Sequence, residues 1–161
     1  MEGYSVEKWL WTQDDYEEMG WHDSTIHAIA FLHSSHELAL DIDYIFEWIP
    51  PRATYTHYKF WVAPATLIFE NVNDVTIDLE LFDEVQLQGI IRGESRKPRN
   101  ADHIANFKEW NWKVDSNVGE IDLWSVGYKQ FIRLRPRLIK HQTLSLDDRG
   151  GLSFFRGKMN R

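Results

Sequence analysis

The chain has 161 residues, 43% of them hydrophobic and 27% charged, with a net charge of −7 and no cysteine. That length fits a single domain with a sizeable core of its own, and the composition is globular rather than disordered. The missing cysteines exclude a disulfide framework, a thiolate metal site and a cysteine nucleophile, and the acid excess has the wrong sign for a general nucleic-acid binder.

The first predicted element is a short helix over about Gln13 to Met19. Thr12 with Asp15 forms a capping-box pattern and Gly20 is a natural stop. Trp9, Leu10, Tyr16 and Met19 are the residues expected on its buried side. After Gly20 the period becomes two. Thr25 to Leu32 reads as a strand with Ile26, Ala28, Ala30 and Leu32 on one face. Glu37 to Trp48 reads as a longer strand. It has Leu38, Leu40, Ile42, Tyr44, Phe46 and Trp48 on one face, and Glu37, Asp41, Asp43 and Glu47 on the other. The polar turn from His33 to His36 makes these two a hairpin.

Pro50 and Pro51 break the chain. His57 to Glu70 is a third strand region, with Pro64 marking a bulge or an edge. Val75, Ile77 and Leu79 alternate in a fourth strand, and Val85 to Arg92 gives a fifth. Gly93 to Asn106 is polar and predicts a mobile loop. Trp110, Trp112 and Val114 alternate in a sixth strand, followed by a turn at Asp115 to Asn117. Glu120 to Val126 and Tyr128 to Arg135 read as one bent strand hinged at Gly127 and ended by Pro136. Thr143 to Leu146 is strand-like, and no second helix is predicted. No crossover helices separate the strands, so the expected fold is mainly β (α+β) in a single domain, 1–161. An antiparallel sandwich or barrel-like sheet carries one short N-terminal helix.

Residues 1–20 lack the basic start and apolar run of a signal peptide. No apolar stretch approaches the roughly 18 residues that span a bilayer. The expected location is cytoplasmic, with no membrane partner.

The candidate chemistry sits in Trp21-His22-Asp23-Ser24-Thr25-Ile26-His27. His22, Asp23 and His27 are residue types of a metal site or an acid/base pair, although the spacing matches no catalytic pattern. Hairpin register decides what His27 meets. A symmetric even-length turn places it across from Ile42 on the apolar face. An odd-length loop or a bulge places it with Asp41 and Asp43. The paired acids Asp41/Asp43 and Asp78/Glu80 otherwise read as solvated outer faces. No phosphate loop or nucleophile elbow is present, so no catalytic residue, metal or cofactor is assigned. Trp48, Trp61, Trp110, Trp112 and Trp124 lie on or beside predicted strands, where core filling is the expected role.

Three strings are familiar together: Trp21-His22-Asp23, Leu40 to Trp48 (LDIDYIFEW) and Phe60 to Leu67 (FWVAPATL). They resemble an uncharacterised family of small bacterial proteins, similar in part to immunity-type proteins that neutralise a toxin. The resemblance implies a bacterial origin and an inhibitor role, and no catalytic residue. The leading expectation is therefore a non-enzymatic interaction module with a basic partner such as a toxin domain. Asp14, Asp15, Glu17, Glu18, Asp41 and Asp43 are the acids proposed for its surface. The alternatives are a small-ligand or carbohydrate-binding β domain, and a metal-dependent enzyme using His22, Asp23 and His27.

Overall fold

A computed structural model describes residues 3–160. Its strands are β1 (Leu10–Thr12), β2 (Thr25–Leu32), β3 (Glu37–Ile49), β4 (Lys59–Glu70), β5 (Asn73–Leu79), β6 (Val85–Arg96), β7 (Glu109–Ser116), β8 (Gly119–Ser125), β9 (Gly127–Ile132) and β10 (Arg137–Ile139). Their pairings are antiparallel. The order is β1-β9-β4-β3-β2-β6-β7-β8-β5, with β10 also on β4. It has two open ends, β1 and β5, so the sheet is not closed and the sandwich-like expectation fits. Leu40 and Leu67 from β3 and β4 share one core with Trp112, Ile121 and Leu123 from β7 and β8. The two layers are linked in sheet by a short pairing of β2 with β6, Thr25 opposite Gln86 and Ile26 opposite Val85.

The capping box forms as expected. The Thr12 N–H donates to Asp15 Oδ2 at 2.9 Å and Thr12 Oγ1 accepts from the Asp14 N–H. The segment it starts is a 3-10 helix, Gln13–Glu18, rather than an α-helix. Trp9, Tyr16 and Met19 pack against the core, whereas Leu10, on β1, is exposed.

Two bulges change the predicted faces. In β2 the register shifts between Ile26 and Ala28, so Ile26 pairs with Ile42 and Ala28 with Asp41. The extra residue is His27, and past it the face flips. Ile29 opposite Leu40, not Ala28, continues the core face begun by Ile26. In β3 the shift falls at Phe46, between Ile45 and Glu47. Trp48 is thereby moved off the main core face and is exposed, paired with Phe60, which belongs with Ile45, Val62 and Leu144 to a second, smaller cluster.

Pro64 is neither at an edge nor in a bulge. It lies mid-sheet in β4, opposite Asp43. The Arg133 N–H donates to the Pro64 carbonyl, so this side of Pro64 faces β9 and β10. Its missing N–H falls where β9 has ended, at Ile132 opposite Ala65, and β10 has not begun, at Arg137 opposite Val62. No ladder bond is lost.

The predicted bent strand is two strands in different layers. β8 pairs with β5 and β7, whereas β9 pairs with β1 and β4. Gly127 makes the crossing at φ 152°, where an added Cβ would stand 2.6 Å from the Gln13 side chain. Only glycine suits that position. The predicted mobile loop is also shorter than expected. Gly93 to Arg96 belongs to β6, and Asn100 exchanges side-chain hydrogen bonds with Asn71. Near the C-terminus, Thr143 to Ser145 is not a strand. It leads into a one-turn helix, α1 (Leu146–Arg149), capped by Ser145 and ended by Gly150 at φ 76°. No helix among the described residues is long and apolar enough to cross a membrane.

Candidate functional site

Asp41 and Asp43 are fully buried rather than solvated. They lie on the face of β3 away from the main core, and the chain from Leu144 to Phe155 is tied down over that face. Asp41 Oδ1 accepts from Arg133 Nη2 at 2.7 Å and Arg149 Nη2 at 2.6 Å; Oδ2 accepts from Arg149 Nη1 at 2.8 Å and the Ser153 N–H at 3.0 Å. Asp43 Oδ1 accepts from Arg149 Nε at 3.0 Å, and its Oδ2 from the Leu144 N–H at 2.9 Å. His27 Nε2 lies 2.7 Å from Asp43 Oδ2. Of the two registers open from the sequence, the bulged one is present.

Thr66 completes the set. Its hydroxyl accepts from Arg133 Nη1 and donates to the Phe155 carbonyl, each at 2.8 Å. Two carboxylates and two guanidiniums cancel in charge, which is the condition for burying such groups together. Burial pushes the Asp41 carboxyl up, but the Arg149 hydrogen bonds, the Arg133 charge and the Ser153 N–H outweigh it and hold it below the usual carboxylate range. Burial pushes Arg133 down, whereas Arg149, equally buried, is held above the ordinary arginine value by Asp41 and Asp43. The difference follows from partners. Arg149 meets two carboxylates, while Arg133 meets one and keeps a buried Nε without an acceptor. Both guanidiniums stay charged at neutral pH.

This arrangement is a closed clamp between β3, Arg133 and α1. The Asp41 oxygens accept four hydrogen bonds and those of Asp43 three. Asp41, Asp43, Arg133 and Arg149 have no solvent exposure. His22 and Asp23 stand apart from it. His22 is exposed, its Nδ1 3.3 Å from Asp23 Oδ2, and its ring lies against Trp48. Asp23 turns the chain at φ 66° and accepts from Gln142 Nε2. Among the described residues no three His, Asp or Glu side chains converge as a metal-ligand set.

Arg133 and Arg149 have no counterpart in the sequence expectation. One signal for them was present. Ala39 and Ile45 share a β3 face with Asp41 and Asp43, and a small and an apolar residue there mark a covered face. A second hidden pair was also missed: Glu109, fully buried, meets Arg96 across β6 and β7. Arg96 also binds Asp74, the largest cause of its raised pKa, and lies 3.8 Å above the Trp124 ring.

The exposed surfaces divide by chemistry. A cleft of 960 Å³ opens between His57, Tyr58 and Phe60 on one side and Lys140 to Ser145 on the other. Tyr58 and Phe60 pack on Trp48 beside this cleft, and Trp48 and Tyr58 remain exposed. Of the N-terminal acids, Asp15 is used internally by Lys8 and the cap, Glu17 lies 3.6 Å from Arg92, and Asp14 and Glu18 are exposed. The outer face of β7, β8 and β5 differs. Asp115 is paired with Glu120 and Glu120 with Asp78, which makes a row of three acids across three strands. They line a shallow cleft of 390 Å³ with Glu80 and Phe82. Lys113, 3.4 Å from Glu120, is the cation that the ion pairs of the described residues bring to this row.

No protein family, curated protein or solved structure matches this chain.

Proposed function

We propose that this protein is a non-enzymatic interaction module for a basic protein partner, in the specific form of a cytoplasmic immunity-type inhibitor of a bacterial toxin. The observation that carries the reading is the row Asp115–Glu120–Asp78. Like charges directly opposite in a sheet destabilise it, so the fold's own stability does not call for this row. A cationic partner would relieve it and would be steered towards it. The closed clamp supports the same reading, because its acids and bases are engaged with one another and shielded from any substrate.

The test is affinity capture from the bacterium that makes the protein, followed by binding of the purified captured domain. The expected partner is basic, loses its activity when bound, and binds more weakly as salt rises from about 50 to about 500 mM. Reversing the row with Asp78→Lys and Glu120→Lys is expected to weaken binding about tenfold or more. Binding that is indifferent to both salt and charge reversal rejects the proposal.

A further inference from the structure

We infer that the free edge of β5 is where the partner docks, and that it receives a short, basic, extended segment which adds to the sheet as a further strand. The inference rests on the interaction-module reading and gives it a location and a geometry.

β5 ends the strand order, with β8 as its paired neighbour. Five consecutive residues, Asp74 to Asp78, are exposed. The direction of the backbone can be read from its contacts. The Glu80 N–H donates to the Val118 carbonyl at 2.8 Å, and the Asp78 carbonyl lies against Gly119. Alternation along the strand then turns the backbone groups of Ile77 and Leu79 away from β8. They form an unpaired row suited to strand addition. Apolar side chains flank it: Ile77 is 41% exposed, and just beyond the strand Leu81 is 72% and Phe82 78% exposed.

The charge around the edge selects the occupant. Between residues 71 and 84 there are five acids and no lysine or arginine. Asp74 is engaged by Arg96 and Arg99, whereas Asp78, Glu80, Asp83 and Glu84 make no ion pair within the described residues. A second copy of the chain is a poor occupant. Self-pairing brings Asp78 and Glu80 of one copy, which have no ion-pair partner among the described residues, close to the same acids of the other, with no lysine or arginine between residues 71 and 84 to relieve them. A segment alternating Lys or Arg with Val or Ile meets both needs, placing cations beside Asp78 and Glu80 and apolar side chains beside Ile77.

The experiment uses the full chain and a fluorescent nine-residue peptide alternating Lys with Val and Ile. Two control peptides accompany it. One has Glu in place of Lys; the other keeps the charges but is N-methylated at alternate backbone nitrogens, which removes the edge-pairing donors. The expected result is saturable binding of the basic peptide, loss of binding for the Glu peptide, and at least about tenfold weaker binding for the N-methylated one. The amides of Ile77 and Leu79 are expected to gain exchange protection. Ile77→Pro, which removes an outward N–H and leaves the β8 ladder intact, is expected to weaken binding similarly in protein that still melts cooperatively. Should that variant not fold, the N-methylated peptide decides alone.

Equal binding of the N-methylated and parent peptides overturns strand addition while leaving a charge-driven module standing. No binding of the basic peptide at low salt, with the captured partner still sensitive to Asp78→Lys, overturns it in the same way. Dimerisation of the free protein that is lost in Ile77→Pro assigns the edge to a second copy and also overturns it. Failure of the underlying reading has a different signature, a captured partner indifferent to charge reversal.

Discussion

Asp41 accepts hydrogen bonds from both buried arginines, so its removal leaves two guanidiniums without their shared counter-charge. Breaking a buried pair from one side typically costs about 3–5 kcal/mol, most of it the stranded charge rather than the lost attraction. Asp41→Ala is expected to destabilise the fold by about that much, read as a drop in the urea midpoint with little change in slope. The same carboxylate predicts an acid dependence. Its folded pKa lies below the ordinary value, so the unfolded chain takes up the proton first. The stabilisation is complete above the unfolded value of about 4 and is lost as pH falls through the folded value. Urea midpoints measured from pH 7 down to pH 3 are expected to hold and then fall below about pH 4. A midpoint that falls already between pH 7 and pH 5 would point to another group. At this scale the sequence placed His27, Asp41 and Asp43 together only under one of two registers. The arginines that complete the set lie far along the chain, where local pattern carries no information about contact.

Strand periodicity exposed the elements well, because alternation is a local property and most of these strands have one core face. What it missed follows from physics beyond the strand. A bulge adds one residue and inverts every later side chain, so Ala28 and Trp48 were assigned to the wrong faces although their strands were found. Pro64 reads as a bulge or an edge because a central proline normally loses a bond; here the neighbouring strand is itself interrupted. Gly127 read as a hinge within one strand, since sequence alone does not say that the chain crosses between layers there. Gly119 offers an element-scale test of β5. At φ 131°, a Cβ would stand 1.9 Å from the Asp78 carbonyl oxygen. Gly119→Ala must push β5 aside, at a cost of about 3 kcal/mol from the clash and the strained backbone. Hydrogen exchange is expected to show the Asp78 and Glu80 amides losing protection before those of β3 and β4. Uniform loss across the sheet would mean that β5 is not a separable margin.

Across the whole molecule, the net charge of −7 is a poor guide to where the charge acts. Some acids are spent inside, on the Arg133–Arg149 clamp and on Arg96, and others lie in a row on the outer face of β7, β8 and β5. The sequence announced the acid excess, and strand pairing decided which acids became neighbours. The clamp also sets an order on biosynthesis. Arg149 meets Asp43 across 106 positions of the chain. At ordinary translation speeds the carboxylates of β3 emerge roughly 5 to 20 s before that arginine does. Until then the face of β3 bearing Asp41 and Asp43 lacks Arg149 and the cover of Ser153 and Phe155 that follows it, and Arg133, made earlier, is its one arginine. The clamp over the strands made first therefore closes only after α1 has been made.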